Sequence, residues 1–261
     1  MDFLKRELAP ISAAGWDFID ERATDVIKAN LSARRFLSVN GPLGRNTEAI
    51  GTGKMELSSE AEVPFGVYKV MPLVEQRIHF TMNRWELDNI DRGAIDINTF
   101  NLDEAVKKAA RFEEAVIYNG LVEADIIGLR KSTEHKTLSF GKTYEETMGN
   151  LMKAISTLKN SYSPTPYALV VSSEKWQYLN LIGKDSEFIK NMTNDLKISI
   201  IVSNYIDNAY LLPIDNENFE LTIGQDFAIG YHSTTNKDVE LYVTSSFTFR
   251  VLDPTLVVVF E

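Results

Sequence analysis

Residues 44–80 constrain this chain more than any other stretch, because they spell out a structure that is unstable alone. The run "KMELSSEAEVPFGVYKV" alternates apolar and polar residues. Met55 and Leu57 mark one strand, Phe65 and Val67 the other, and Ser58, Ser59 and Glu60 supply the turn. A lone two-stranded hairpin is marginal in water, since it has no second layer to bury its apolar face. This one needs a neighbour to lie on, from the same chain or from another copy.

The rest of the chain reads as α+β. Behind Ser12, placed as an N-cap, Trp16, Ile19, Ala23, Val26, Ile27 and Leu31 recur at helical spacing, with acids early and bases late, as the helix dipole favours. The segment after it ends at Gly41-Pro42. "LVEQRIHFTMNRW" alternates like a strand through Ile78, Phe80 and Met82. "NLDEAVKKAARFEEAVIYNG" predicts a helix opened by an Asn101/Glu104 capping box, striped by Ala105, Ala109, Phe112 and Val116, and stopped at Gly120. A third helix opens at Thr143, with Glu146 completing a box and Met148, Leu151, Met152, Ile155 and Leu158 facing inward. "YALVVSS" and "ISIIVS" predict buried strands, with a short helix near "EKWQYLNLI" between them. The tail from Phe219 to Phe260 is strand-rich, and its last apolar residues must be tied into a sheet. No repeat or linker interrupts the 261 residues, so the parts are sub-domains of one fold.

Composition removes several classes of chemistry. With no cysteine, disulfides, thiolate nucleophiles and Cys-ligated zinc are excluded. His79, His135 and His232 lie far apart, none with a metal-ligand spacing partner, so no metal site is proposed; His232 is read as a surface histidine. A net charge of -10 disfavours binding through phosphate neutralisation, so no nucleic acid is expected. The N-terminus lacks the apolar core of a secretory signal and no run is long enough to span a membrane, which makes a cytoplasmic protein the expectation. "GTGK" (51–54) lacks the glycine and hydroxyl residue of a phosphate loop and reads as a glycine-rich turn. No serine sits in a recognisable nucleophile elbow.

Two places invite function. "RWELDNIDRG" (84–93) sets Glu86, Asp88 and Asp91 beside Trp85 between Arg84 and Arg92. Acid–base catalysis needs carboxylates with separated pKa values in a dry cleft; flanking arginines favour the ionised form of all three. The stretch reads as an ion-pair network or solvated face, with Trp85 an apolar anchor where protein surfaces meet. The apolar positions of the first helix serve either core packing or a groove that docks a short peptide from a partner.

Several segments, in order, resemble the encapsulins, the linocin-type bacteriocin family: "MDFLKRELAPIS", "RRFLSVNGPLG", "PLVEQRIHFTMNRWELDNIDRG", "GQDFAIGY" and "TSSFTFRVLDP". The resemblance implies the tailed-phage capsid fold, as in the Hong Kong 97 major capsid protein, and a homo-oligomer closing into an icosahedral shell, the smallest form being the default. It implies an N-terminal arm and luminal helix over 1–43, an extended loop over 44–75, a peripheral domain with a spine helix over 76–129, an axial domain over 130–215, and a return to the peripheral sheet over 216–261. It also implies a cargo enzyme, a ferritin-like protein or dye-decolorising peroxidase serving iron storage or oxidative stress, docked by a C-terminal targeting peptide. The implied cargo residues are Ile27, Leu31, Arg34, Phe36, Ile229 and Tyr231. Gly183, Lys184, Asp185 and Ser186 fall where the five-fold pore loop belongs. Met55, Leu57, Phe65, Val67, Trp85, Glu86, Asp88 and Arg92 fall at subunit contacts. No cofactor is required, although Trp85 offers a stacking platform for a flat ring. The competing expectations are a phage or prophage capsid protein and a linocin-type protease.

Overall fold

A 14-residue strand, β10 (Asp238–Val251), organises the larger sheet of this computed structural model, which describes residues 3–59, 62–182 and 191–261, without the side chains of 191 and 193. One flank of β10 pairs antiparallel with β4 (Val74–Asn83). The other carries two strands end to end: β9 (Ala228–Thr234) beside its first half and β8 (Asn216–Ile223) beside its second. A short strand, β1 (Leu37–Asn40), joins parallel to β8. The sequence reading had no strand here, because four residues are too few to show a period.

Alternation decides the faces. Val239, Leu241 and Val243 of β10, Phe80 and Met82 of β4 and Ile229 of β9 point to one side, where two helices cover them. The first, α1 (Ala13–Asn30), starts where expected: Ser12 accepts a hydrogen bond from the Gly15 N–H. The second, spanning Phe100–Asn119 (α3 in chain order), starts differently from the expectation. Its N-cap is Thr99, with no side-chain cap, and the Asn101 amide donates to the Thr81 carbonyl of β4, while Glu104 pairs with Lys107. Tertiary contact to the strand has captured the residue predicted to cap. Gly120 does end the helix, at φ 86°, the left-handed region that glycine enters without a Cβ clash. Between β4 and α3, the stretch to which the sequence pattern assigned no element forms a short helix, α2 (Arg84–Asp91), capped by Asn83 accepting from the Trp85 N–H.

The smaller sheet runs β11–β7–β5–β6. Its centre, β5 (Tyr167–Ser172), is buried throughout, parallel to β6 (Ile198–Ser203) and antiparallel to β7 (Ala209–Pro213). Leu169 and Val171 pack toward α5 (Tyr144–Asn160) and α6 (Ser173–Ile182). Ala168 and Val170 point instead into the core shared with Phe219, Phe247 and Phe249 of the larger sheet. Thr143 caps α5 by accepting from the Glu146 N–H, and the Glu146 carboxylate reaches back to the Lys142 N–H. Leu151, Ile155 and Leu158 face inward as expected, but Met152 is 45% exposed. It lies one residue, about 100° of helix rotation, off that stripe.

The end of the chain corrects one expectation. Strands β8 to β10 belong to the larger sheet, but β11 (Val258–Phe260) pairs with β7 in the smaller one. Val258 and Phe260 fill the core under α5, while Val257 and Val259 fill the core between the sheets. A strand apolar on both sides is most stable where both sides are covered.

Candidate functional site

The hairpin is as exposed as its sequence implies. Among the described residues, strands β2 (Ala49–Ser58) and β3 (Phe65–Pro72) pair only with each other. Met55 opposes Tyr68 and Leu57 opposes Gly66 on one face; Glu56 opposes Val67 and Ser58 opposes Phe65 on the other. Apolar side chains therefore stand on both faces, with Leu57 74%, Phe65 54%, Val67 58% and Tyr68 73% exposed. Moving such a side chain fully out of water is worth roughly 1.5–3 kcal/mol. The hairpin needs cover above and below, and within the chain nothing described supplies it.

The acidic stretch around Trp85 is a joint. On α2, Leu87 is buried among α1 and sheet residues. Glu86 accepts the Asn98 N–H at 3.3 Å, which holds the loop after α2, and Asp91 accepts the Ser12 hydroxyl at 2.5 Å, which ties α2 to the start of α1. Asp88 faces Arg92 at 3.8 Å in an exposed i,i+4 pair, a contact worth little. Trp85 is 69% exposed, with the Arg92 guanidinium 5.8 Å from its ring centre. These carboxylates share no enclosed cleft, and their partners are structural.

A groove runs between α1 and the start of β9. It consists of a cleft of ≈ 360 Å³ bounded by Ile27, Leu31, Arg34 and Phe227, and an adjoining one of ≈ 210 Å³ bounded by Ile27, Phe227 and Ile229. Four of the six implied cargo residues thus come together: Ile27, Leu31, Arg34 and Ile229. Phe36 does not join them. It is 1% exposed and packs 6.4 Å from the Tyr118 ring in the core between the sheets. The turn of chain after α1 points Phe36 inward, where a large apolar side chain is best shielded. Tyr231 lines neither cleft; its N–H donates to the Leu4 carbonyl and its side chain packs toward the core beneath α1. Phe227, which no periodicity marks because it sits on the turn into β9, forms a wall with the Arg34 guanidinium 5.0 Å above its ring.

Arg34 is a buttress. Its Nε and Nη2 donate to the two oxygens of Glu113 at 2.7 and 2.8 Å, and its Nη1 to Asp226 at 2.9 Å. Burial alone would lower the Arg34 pKa, but Glu113 first and Asp226 second outweigh it and raise it. Burial raises Glu113 above the usual carboxylate range against the pull of Arg34. The exposed cations on the rim of the groove are instead Lys28 and Arg35.

One residue further along α3, buried Glu114 accepts the Ser32 and Ala33 N–H groups at 2.9 and 2.8 Å and the Ser32 hydroxyl. Tyr118 lies 2.7 Å from that hydroxyl. Burial pushes the Glu114 pKa up to about 7, although these hydrogen bonds oppose it. This cluster pins the turn after α1 to α3 and so sets one end of the groove. Sequence reading took α3 as having a single apolar stripe and missed both acids.

The implied pore residues Gly183, Lys184, Asp185 and Ser186 lie outside the described residues. Among the described residues, no helix is long and apolar enough to cross a membrane.

An α+β chain whose two sheets share a core, with a long hairpin apolar on both faces, has the fold of the phage-capsid type. Its fold is that of a virus-like particle from Pyrococcus furiosus, at TM-score 0.68 and 19% identity over 94% of this chain and 99% of that one. The capsid of Myoviridae phage XM1 shares it at TM-score 0.57 and 8% identity, over 85% of this chain and 88% of that one. Sequence separates the two kinds of shell. The family described as "Encapsulating protein for peroxidase" matches residues 1–248. A type 1 encapsulin shell protein of Rhodospirillum rubrum is 31% identical, over 97% of this chain and 94% of its own length. The chain belongs to the encapsulin shell proteins. It is a structural protein and not an enzyme, so the protease expectation falls.

Proposed function

We propose that copies of this chain close into an icosahedral cytoplasmic shell that confines a cargo enzyme, held by a C-terminal peptide of the cargo in the groove between α1 and β9. The observation that carries assembly is the hairpin with apolar side chains on both faces, which sister copies cover. Each copy presents one surface and receives another, and such heterologous contacts close when their rotations do. Because every subunit is held by several neighbours, no single contact has to be tight.

The groove supports the cargo part of the reading. Ile27 lies in both clefts, Leu31 and Ile229 form the apolar floor, and Phe227 forms a wall. An extended peptide places alternate apolar side chains in the two clefts. Its carboxylates meet Lys28 and Arg35 at the rim, since Arg34 is engaged with Glu113 and Asp226. The matched family's description names a peroxidase as what its members encapsulate, and that favours a peroxidase as cargo here.

The experiment is co-production with a dye-decolorising peroxidase carrying its own C-terminal tail, with Ile27→Asp as the groove variant. Ile27 is the better position to change because it is half-buried, whereas Leu31 is 7% exposed and a charge there would disturb folding. Shells should form in both cases, and peroxidase should co-elute only with the unaltered shell and only when its tail is present. Equal loading of the Ile27→Asp shell refutes the groove assignment.

A further inference from the structure

Two of the three histidines, 153 residues apart in sequence, meet on the face of the larger sheet turned away from α1 and α3. His79 on β4 lies opposite Tyr242 on β10, and Glu240, two residues before Tyr242, shares that face on the diagonal. On the other flank of β10 the register slips. Leu241 pairs with Tyr231, but Glu240 pairs with Ser233, which leaves His232 as the extra residue of a β-bulge. A bulge re-aims side chains, and this one sets His232 beside the same carboxylate. The His79 Nδ1 lies 3.1 Å from the Glu240 Oε1, and the two imidazole rings meet edge to face with centroids 4.7 Å apart. One ligand atom from each of the three residues falls within 4.8 Å of the others.

The floor beneath them is firm. Tyr242, whose ring centre is 5.8 Å from that of His79, donates its hydroxyl to the Phe3 carbonyl and lies under the Arg77 guanidinium. Its ring occupies the space over Gly230, where a Cβ would come within 2.3 Å of it. Ser233 donates to the Glu240 Oε2 at 2.8 Å, which orients the carboxylate and leaves Oε1 toward the imidazoles. Among the described residues no hydrogen bond occupies the His232 ring. An exposed His–Glu pair alone would be a surface contact worth roughly 0–1 kcal/mol. A second imidazole delivered by a bulge from a third strand is what that reading leaves without a purpose.

We propose that His79, His232 and Glu240 form a three-ligand site for a divalent transition metal of the zinc class, with the fourth position open to water. Two imidazoles and one carboxylate are a donor set for zinc, and also for cobalt and iron(II); magnesium and calcium prefer all-oxygen sites. In a tetrahedral site with bonds of about 2.0–2.1 Å, ligand atoms stand about 3.3 Å apart. Binding therefore requires the two exposed histidines to close from within 4.8 Å to that spacing around the half-buried Glu240.

The test uses assembled shells stripped with a chelator and dialysed. Zinc titration by calorimetry should saturate at one ion per chain. Cobalt should give the visible absorption of a four-coordinate ion. His232→Gln and Glu240→Gln should each weaken binding at least about ten-fold, with His79→Gln as an independent variant on another strand. His135→Gln, which alters a histidine far from the cluster, should change nothing. Zinc should raise the melting temperature of unaltered shells and not that of the variants. Absence of saturable uptake at one ion per chain, or uptake that survives both His232→Gln and Glu240→Gln, overturns the assignment.

Discussion

Glu114 should make this protein less stable as the pH rises through neutrality, and Glu114→Gln should remove that dependence. In the fold its carboxyl is fully enclosed by α3, the turn after α1 and the Ser203 hydroxyl, and burial raises its pKa from 4.5 to about 7. A raised carboxyl pKa means that the folded state holds the proton more tightly than the unfolded chain. The associated stability is fully present below about pH 4.5, declines as the pH rises, and is gone once the pH has passed about 7. At about 1.4 kcal/mol per pH unit, the loss is about 3 kcal/mol. Other groups titrate in the same range, so the quantity to measure is a difference. Urea denaturation followed by tryptophan fluorescence, at pH 5 and pH 8, is compared between the unaltered chain and Glu114→Gln at equal concentration. Glutamine mimics the protonated acid, keeps an oxygen for the Ser32 and Ala33 N–H groups, and leaves the Arg34–Glu113 pair in place. The unaltered chain should lose about 2.5 kcal/mol more than the variant over that interval, because a part of the full loss has already occurred by pH 5. Parallel pH curves would refute the reasoning, by showing that the two backbone N–H groups and Ser32 hold Glu114 ionised throughout.

Three further outcomes follow from the packing. Arg34→Ala strands Glu113, which is 0% exposed, without its partner; the cost should be about 3–5 kcal/mol, seen as a lower denaturation midpoint, and a loss under about 1 kcal/mol would contradict the buttress role. Phe36→Ala should cost about 3–5 kcal/mol as a core truncation, while peroxidase loading per assembled shell stays unchanged; reduced loading with unaltered stability would restore Phe36 to the groove. Leu57→Asp combined with Phe65→Asp should leave native circular dichroism but abolish cages in size-exclusion chromatography and electron micrographs, because both faces of the hairpin then carry charge where sister copies must cover them.

Much of the fold was legible because it is written in local periods. The α1 stripe, the alternation of β4 and β10 and the unbroken apolar run of β5 each announce which side of an element avoids water. The Ser12 and Thr143 caps were readable for the same reason, since cap and recipient lie three residues apart. Asn101 was misread because a carbonyl 20 residues earlier, on β4, competes for its side chain. The helix at 84–91 went unread because the strand-like alternation of β4 runs up to it and ends only where Asn83 turns to cap it. Of the groove, the α1 contribution was visible and the Phe227 wall was not.

From the sequence by itself came the need for company: a two-stranded hairpin with an apolar face has no second layer of its own, and only the cross-strand register showed that apolar side chains stand on both of its faces. Absence of cysteine and the net charge of -10 likewise owe nothing to folding. Only tertiary structure decided that Phe36 is core, that Glu113 and Glu114 lie buried side by side on α3, that β11 joins the smaller sheet, and that a bulge in β9 carries His232 to His79 and Glu240. The physical reason is range. A period along the chain reports which face of an element is apolar, but what covers that face, and which polar side chains become trapped or convergent beneath it, depends on residues brought in from 79 to 192 positions away, as with Arg34 and its two acidic partners.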